Sequence, residues 1–431
     1  MAMKVEIISK EIIKPYSPTP DHAKDFKICM LDELAPPSYV PILLFYPPPA
    51  DFTSDNLKKS LSETLVRFHP LAGKLKGNIS FDCNGEGVLF VEAKVNIAAS
   101  EIINNPQTEM LHQLFPLDPY KPTEETETTI TGVQVNVFAC GSVAIGVCVS
   151  HKIADAASLS YFLQAWAATT TGIDQTLAPR LDSAVLFPPR GLNLIKPSDL
   201  IRNEKVVTRR FIFERKNLAN LKSKIGNGNG NVNVNPTRVE AVTVLIWKSA
   251  MEVVRVNSGK NTLPSSIITH QVNFRERMNP PLPGNSLGNL CRLAVAAYID
   301  VNKEMELQEL VGILRKSIRK IDGDYLEKLQ GVDGLAKAIE PLRELRQLAS
   351  GGEGAEVFTF SSWTRFPLYE IDFGWGKPIR ACTLTVPVRN CVILMATRSG
   401  DGIEAWITLN ENDMVKFESS EELLQFVSAS T

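Results

Sequence analysis

The 431-residue chain has no long apolar run, no excess of charge of either sign and no paired cysteine motif. Each absence excludes something. No stretch approaches the roughly 18 apolar residues of a membrane span. The opening Met1-Ala2-Met3-Lys4-Val5-Glu6 lacks the apolar core of a signal peptide. Lys and Arg number 46 against 48 Asp and Glu, a net charge of −2, which leaves no electrostatic footprint for nucleic acid or a membrane surface. The seven cysteines are odd in number and never spaced C-x-x-C, so neither a disulfide framework nor a metal site is expected. Cys140, Cys148 and Cys391 lie in apolar, strand-like stretches and read as inert buried thiols. Together these features predict a soluble, reduced, cytosolic monomer. The sequon Asn78-Ile79-Ser80 is then without consequence.

What is present is material for two cores. Hydrophobic residues make up 44% of the chain and aromatics 7%, and a chain of this length exceeds one ordinary core. Strand and helix patterns alternate irregularly, which indicates α/β layers without a simple wound repeat. Residues 5–9 read as a strand. Residues 56–68 read as an amphipathic helix, with Leu57, Leu61, Leu65 and Phe68 on one stripe. The pattern breaks at Phe187-Pro188-Pro189-Arg190-Gly191, and 191–205 is read as the crossover between an N-terminal domain, 1–190, and a C-terminal domain, 206–431. The run Gly226-Asn227-Gly228-Asn229-Gly230-Asn231 is a surface loop that only mimics a dinucleotide fingerprint. Thr237-Arg238-Val239-Glu240 reads as a capping box opening a helix through Trp247 and Met251. Strands are expected at 266–273, 293–298, 357–363, 390–397 and 403–409. A long amphipathic helix is expected over 304–321, with Arg315-Lys316 and Arg319-Lys320 on its wet face.

Chemistry gathers at His151-Lys152-Ile153-Ala154-Asp155. The preceding residues 143–150 alternate branched and small apolar side chains, as a half-buried strand does. After Asp155, the residues Leu159, Phe162, Leu163 and Trp166 recur at helical spacing, and Asp155 stands where a short acceptor caps the first amides. His151 therefore sits at a strand end, on the turn into a helix, a suitable place for a general base. By itself, a histidine four residues before an aspartate is common and most often structural. A second segment, Asp372-Phe373-Gly374-Trp375-Gly376, changes the weighing, because two glycines around a tryptophan make a costly turn.

Together the HxxxD and DFGWG segments resemble the signature pair of the plant BAHD acyltransferases. The resemblance runs along nearly the whole chain. It includes 67–75, with Pro70-Leu71-Ala72-Gly73; 275–283, closing with Gly288-Asn289; and Ser399-Gly400-Asp401-Gly402 before Glu404-Ala405-Trp406. It is nearest to the branch that acetylates alkaloids and terpenoids. It implies two similarly folded α/β domains of the CoA-dependent, chloramphenicol acetyltransferase-like type, with the active site in a tunnel between them. It also implies acetyl-CoA as co-substrate, with no permanently bound cofactor, and a small-molecule alcohol as acceptor.

Acyl transfer from a thioester to an alcohol needs a base, an oxyanion donor and a water-poor meeting place. His151 supplies the base, so no protein nucleophile is required. The resemblance implies that Asp155 turns from the cleft to pair with an arginine of the mid-chain signature, Arg275 or, failing that, Arg277. It assigns Asp372, Gly374 and Gly376 to structure, points to the indole N–H of Trp363 for the oxyanion, and places Ser361 among the cofactor contacts as a hydrogen-bonding hydroxyl. For coenzyme A, the capped helix start at Thr237-Arg238 is a credible phosphate site. Gly288-Asn289 is the place where backbone could approach the pantetheine arm. The G-x-S-x-G string Gly284-Asn285-Ser286-Leu287-Gly288 is a decoy, since prolines precede it and a strand follows. The rivals are a condensation domain of a peptide synthetase, which normally carries a second histidine where Lys152 stands, an enzyme using a longer or aromatic acyl-CoA, and a non-catalytic acyl-CoA-binding relative.

Overall fold

The computed structural model describes residues 2–50, 52–77, 79–104, 108–120, 129–173, 176–192, 205–227, 234–259, 265–299, 305–350 and 355–428. Asn78 of the sequon, most of the 191–205 crossover and most of the glycine-asparagine run lie outside the described residues.

The chain forms two compact units. The first gathers 1–201, 281–290 and 366–385; the second gathers 202–280, 291–365 and 386–431. The passage expected at 191–205 coincides with the first crossing between them. The expected single cut is corrected in one respect: two later segments rejoin the first unit, and one of them carries Asp372 to Gly376. The glycine-rich segment thus packs with the HxxxD segment rather than with the strands that precede it. A linear reading cannot see such a return, because no composition break marks it.

In the first unit a six-stranded sheet is built from β1 (Val5–Ile13), β3 (Tyr39–Tyr46), β6 (Val88–Val95), β7 (Thr131–Phe138), β8 (Val143–Ser150) and β13 (Arg380–Cys382). Its order is β1-β6-β7-β8-β3-β13. Only β6–β7 pair parallel. A small sheet of β2 (Asp25–Lys27), β4 (Lys74–Lys76) and β5 (Ser80–Asp82) stands apart. The strand before His151 is β8. It was expected to be half-buried, yet every residue through Val149 is buried. The physical reason is that chain covers both faces: a Cβ added at Gly146 would lie 2.3 Å from the Leu114 carbonyl oxygen, so only glycine lets that segment lie down. The helix Ala156–Thr171 packs on the helix Ser54–Arg67. The stripes read from sequence, Leu57, Leu61, Leu65 and Phe68 on one side and Leu159, Phe162, Leu163 and Trp166 on the other, are all fully buried. The Trp166 indole donates to Ser60 Oγ at 3.1 Å, which satisfies its one polar group inside the core.

The second unit has its own six-stranded sheet of β9 (Val206–Phe213), β10 (Ser266–Asn273), β11 (Cys291–Tyr298), β12 (Glu356–Ser362), β14 (Cys391–Ala396) and β15 (Ile403–Asn410), in the order β11-β10-β12-β14-β15-β9. Its core surrounds the helix Arg238–Ser258, whose Trp247 is fully buried and donates to Ser266 Oγ at 2.6 Å. The capping box holds as read: Thr237 N–H donates to Glu240 Oε2 at 2.7 Å, and Glu240 N–H donates to Thr237 Oγ1 at 3.1 Å.

Two readings are corrected by burial. Cys140 is exposed rather than buried, because it lies in the turn after β7, and Cys391 is intermediate at the first residue of β14; Cys148 is buried as expected. Arg315, placed on the wet face of its helix, grips Glu240 through Nε and Nη2, both at 2.8 Å. A partly buried carboxylate in reach makes that exchange favourable. Among the described residues no helix is long and apolar enough to cross a membrane.

Candidate active site

The HxxxD turn is held from every side within the first unit. β8 ends at Ser150, and the His151 N–H donates to the Ser38 carbonyl at 2.8 Å. Asp155 is the N-cap of the following helix, and its Oδ1 accepts the Ser158 N–H at 2.8 Å, as the sequence indicated. Lys152 turns the other way. Its ammonium donates to the carbonyls of Ala35 at 2.7 Å and Glu33 at 3.1 Å, at the end of the short helix Met30–Glu33. Cations are favoured at such ends.

Asp32, which no motif marks, and Asn289, which closes the mid-chain signature, complete the turn. Asp32 is 1% exposed, and its Oδ1 accepts both the backbone N–H of Asn289 at 2.7 Å and the side-chain amide at 2.8 Å. Asn289 then donates through Nδ2 to the His151 carbonyl at 2.7 Å. Ser158 Oγ bridges the Gly288 N–H and carbonyl, both at 3.2 Å. Gly288 and Asn289, expected to receive the pantetheine arm, are buried and bonded to the HxxxD segment. Chain separation hid the link, because Asp32, His151 and Asn289 lie on three distant segments.

Burial pulls the His151 imidazole below the ordinary histidine range, against the Asp155 carboxylate, the histidine's own carbonyl and the Asn289 side chain. The ring is thus kept neutral near pH 7, the form a base needs. Burial also lifts the Asp32 carboxyl to about 6, against hydrogen bonds from Cys29 and Asn289.

The glycine-rich turn is a clamp. Asp372 Oδ1 accepts the N–H groups of Gly374 at 2.8 Å and Gly376 at 2.9 Å, and both glycines have φ near +100°, where a side chain would be strained. The buried Phe373 packs on Trp166 and Tyr46, and Trp375 packs on Tyr46 and Phe52. Ser286 lies in an irregular stretch with a single bridge to Arg180, not on a strand-to-helix elbow, which removes the hydrolase reading.

In the second unit, Arg275 is 2% exposed and donates to Asn273 Oδ1 at 3.3 Å. Arg277 is taken up elsewhere, donating to the carbonyls of Ile318 and Ile321 at 2.8 Å each. The Trp363 indole N–H donates to Ser361 Oγ at 3.0 Å. Thr237 and Arg238 are exposed, and Arg238 donates to the Gly400 carbonyl at 3.0 Å. The capping box occupies the amides of Thr237 and Glu240. Of the helix-start amides, those of Arg238 and Val239 are the ones an anion could use.

Residues 3–424 match the profile of the family described as the Transferase family. The chain belongs to this family, the BAHD acyltransferases. Its members take acyl-CoA as co-substrate. Stemmadenine O-acetyltransferase of Catharanthus roseus is 40% identical, with 96% of each chain covered. Limonoid 7-O-acetyltransferase of Citrus sinensis is 36% identical, with 98% of each covered. The crystal structure of vinorine synthase superimposes with a TM-score of 0.85 at 38% identity, covering 99% of this chain and 100% of that one. This BAHD chain therefore has the mixed α/β architecture with two sheet-rich units, and it is an acyltransferase.

Proposed function

We propose that this BAHD enzyme is an acetyl-CoA-dependent O-acetyltransferase acting on a hydroxyl of a plant specialised metabolite, an alkaloid or terpenoid alcohol. The observation that carries the reading is the His151 imidazole at the end of β8, its pKa lowered by desolvation and its backbone pinned at both N–H and carbonyl. The likeness to relatives named for alkaloid and limonoid acetylation supports the substrate class.

In this reaction the His151 imidazole takes the proton of the acceptor hydroxyl as its oxygen attacks the thioester carbonyl. The tetrahedral oxyanion then collapses, the carbon–sulfur bond breaks, and the imidazolium returns the proton to the departing thiolate. No acyl-enzyme forms. Trp363 is the proposed oxyanion donor, and that role requires its N–H to leave Ser361. Asp155 is proposed to act through structure with Arg275, and Arg238 with the neighbouring helix amides to receive a coenzyme A phosphate. The enzyme is proposed to work as a cytosolic monomer.

Alkaloid and terpenoid alcohols offered with acetyl-CoA, read by mass spectrometry, test the reading. Acetyl ester formation is expected, with acetyl-CoA preferred over coumaroyl-CoA and malonyl-CoA at equal concentration. Malonyl-CoA ranks last because a buried free carboxylate needs a cationic partner. Preference for an aromatic donor would overturn the acetyl assignment. Calorimetric binding of acetyl-CoA without turnover on any alcohol would favour a non-catalytic binder.

A further inference from the structure

Two buried polar atoms beside the base have no hydrogen-bond partner: Nδ1 of His151 and Oδ1 of Asn289. They belong to residues already joined, since Asn289 Nδ2 donates to the His151 carbonyl at 2.7 Å. The same nitrogen donates to Asp32 Oδ1 at 2.8 Å, and this double donation determines which end of the amide faces which way. A carboxylate cannot donate, so Asp32 forces the NH2 group toward itself and leaves the amide oxygen as the free acceptor. Asn289 itself cannot swing away, because its backbone N–H is tied to Asp32 at 2.7 Å and the neighbouring Gly288 is tied to Ser158. Asp32 is fixed in turn, its Oδ2 accepting the Cys29 N–H at 2.8 Å. An unpaired buried donor or acceptor is costly, so a hydrogen bond between these two atoms is favourable.

We propose that Asn289, oriented by the buried Asp32 carboxylate, is the positioning residue that accepts the Nδ1–H of His151 and so selects the tautomer whose Nε2 lone pair acts as the base. Resting on the reading of His151 as general base, this adds the third group that orients a base in other acid–base sites. The side chain has two functions at once: its nitrogen holds the backbone of the turn and its oxygen sets the ring. The Asp155 carboxylate acts on the ring by charge while its Oδ1 caps the helix, so it leaves the orienting position to Asn289. When Nε2 takes the alcohol proton the ring becomes a cation, and the Asn289 oxygen then stabilises it through the same bond.

Protein labelled with ¹⁵N at histidine, observed at pH 7.5, reports the tautomer directly without any substrate. The His151 signals, assigned by comparison with His151→Ala, should show a protonated Nδ1 and a bare Nε2. In Asn289→Ala the ring should lose that single tautomer. Its kcat should fall by ~10–10²-fold, the size of effect seen when the partner that orients a metal-bound histidine is removed, with little change in KM for acetyl-CoA. Asp32→Asn keeps the shape of the site but offers Asn289 a weaker acceptor, so it should give a smaller change in the same direction. It decides the matter if Asn289→Ala does not fold. A protonated Nε2 in the wild-type protein overturns the proposal. So does a wild-type tautomer kept in a folded Asn289→Ala protein, which would mean that the histidine's own carbonyl suffices. Full activity of His151→Ala would instead overturn the general-base reading, so the two failures are distinguishable.

Discussion

The Phe373 ring stands edge-on to the Trp166 indole, with 4.8 Å between centroids and 72° between planes. The pair fastens the glycine-rich turn to the helix that starts at Asp155, so the two signature segments are one packed unit. Replacing a fully buried phenylalanine by alanine costs about 3–5 kcal/mol. Phe373→Ala should therefore lower Tm by on the order of 10 °C while the folded protein, assayed cold, keeps most of its turnover. An unchanged Tm in a calorimetric scan would show that the turn does not brace the helix.

His151→Ala should stay folded and lose about 10²–10⁴ in kcat. Circular dichroism confirms the fold, and steady-state turnover on an accepted alcohol gives the ratio. Retention of more than about a tenth of wild-type turnover would remove the imidazole from the chemistry.

Asp155→Asn keeps a side chain that can cap the helix but removes the charge facing His151. If Asp155 also pairs with Arg275, activity and thermal stability should fall together, because a buried arginine left without its counter-ion is costly. Loss of activity at an unchanged melting temperature would place Asp155 in the chemistry instead.

Burial depresses the His151 value from the ordinary 6.5. The acid limb of kcat/KM should accordingly inflect below pH 6.5, with a plateau through neutrality, because the neutral ring is the working form. The linkage has the same sign. The unfolded chain binds this proton first as pH falls through 6.5, so the contribution to stability is complete above that value and declines below it. A measured inflection at or above 7 would contradict a desolvated base.

Arg238→Glu alters an exposed residue whose guanidinium donates to the Gly400 carbonyl. Charge-assisted contacts to a phosphate are strong enough that KM for acetyl-CoA should rise roughly tenfold or more, with kcat little changed. An unchanged KM in a titration of acetyl-CoA at fixed alcohol would move the phosphate site elsewhere.

Local order was legible in the chain because it is written in neighbouring residues. The strand at 143–150, the Asp155 cap, the Thr237–Glu240 box and the strand at 266–273 all appear as the pattern indicated, since alternation and capping act over two to four residues. His151 could be singled out for the same reason, by the strand before it and the helix after it. The tertiary structure decided what lies around that histidine. Asp32 and Asn289 have no motif between them, and nothing in their spacing marks the bond that joins them or the one from Asn289 to the His151 carbonyl. Arg315 reads as a solvent-facing charge until a carboxylate from another segment comes within reach, and no pattern shows that Lys152 meets the carbonyls at the end of the Met30–Glu33 helix. Periodicity records which face of an element is buried, but a partner distant in sequence leaves no periodic trace. Hydrogen bonds between distant segments exist only once the chain has closed upon itself, and at this site they are what holds the base.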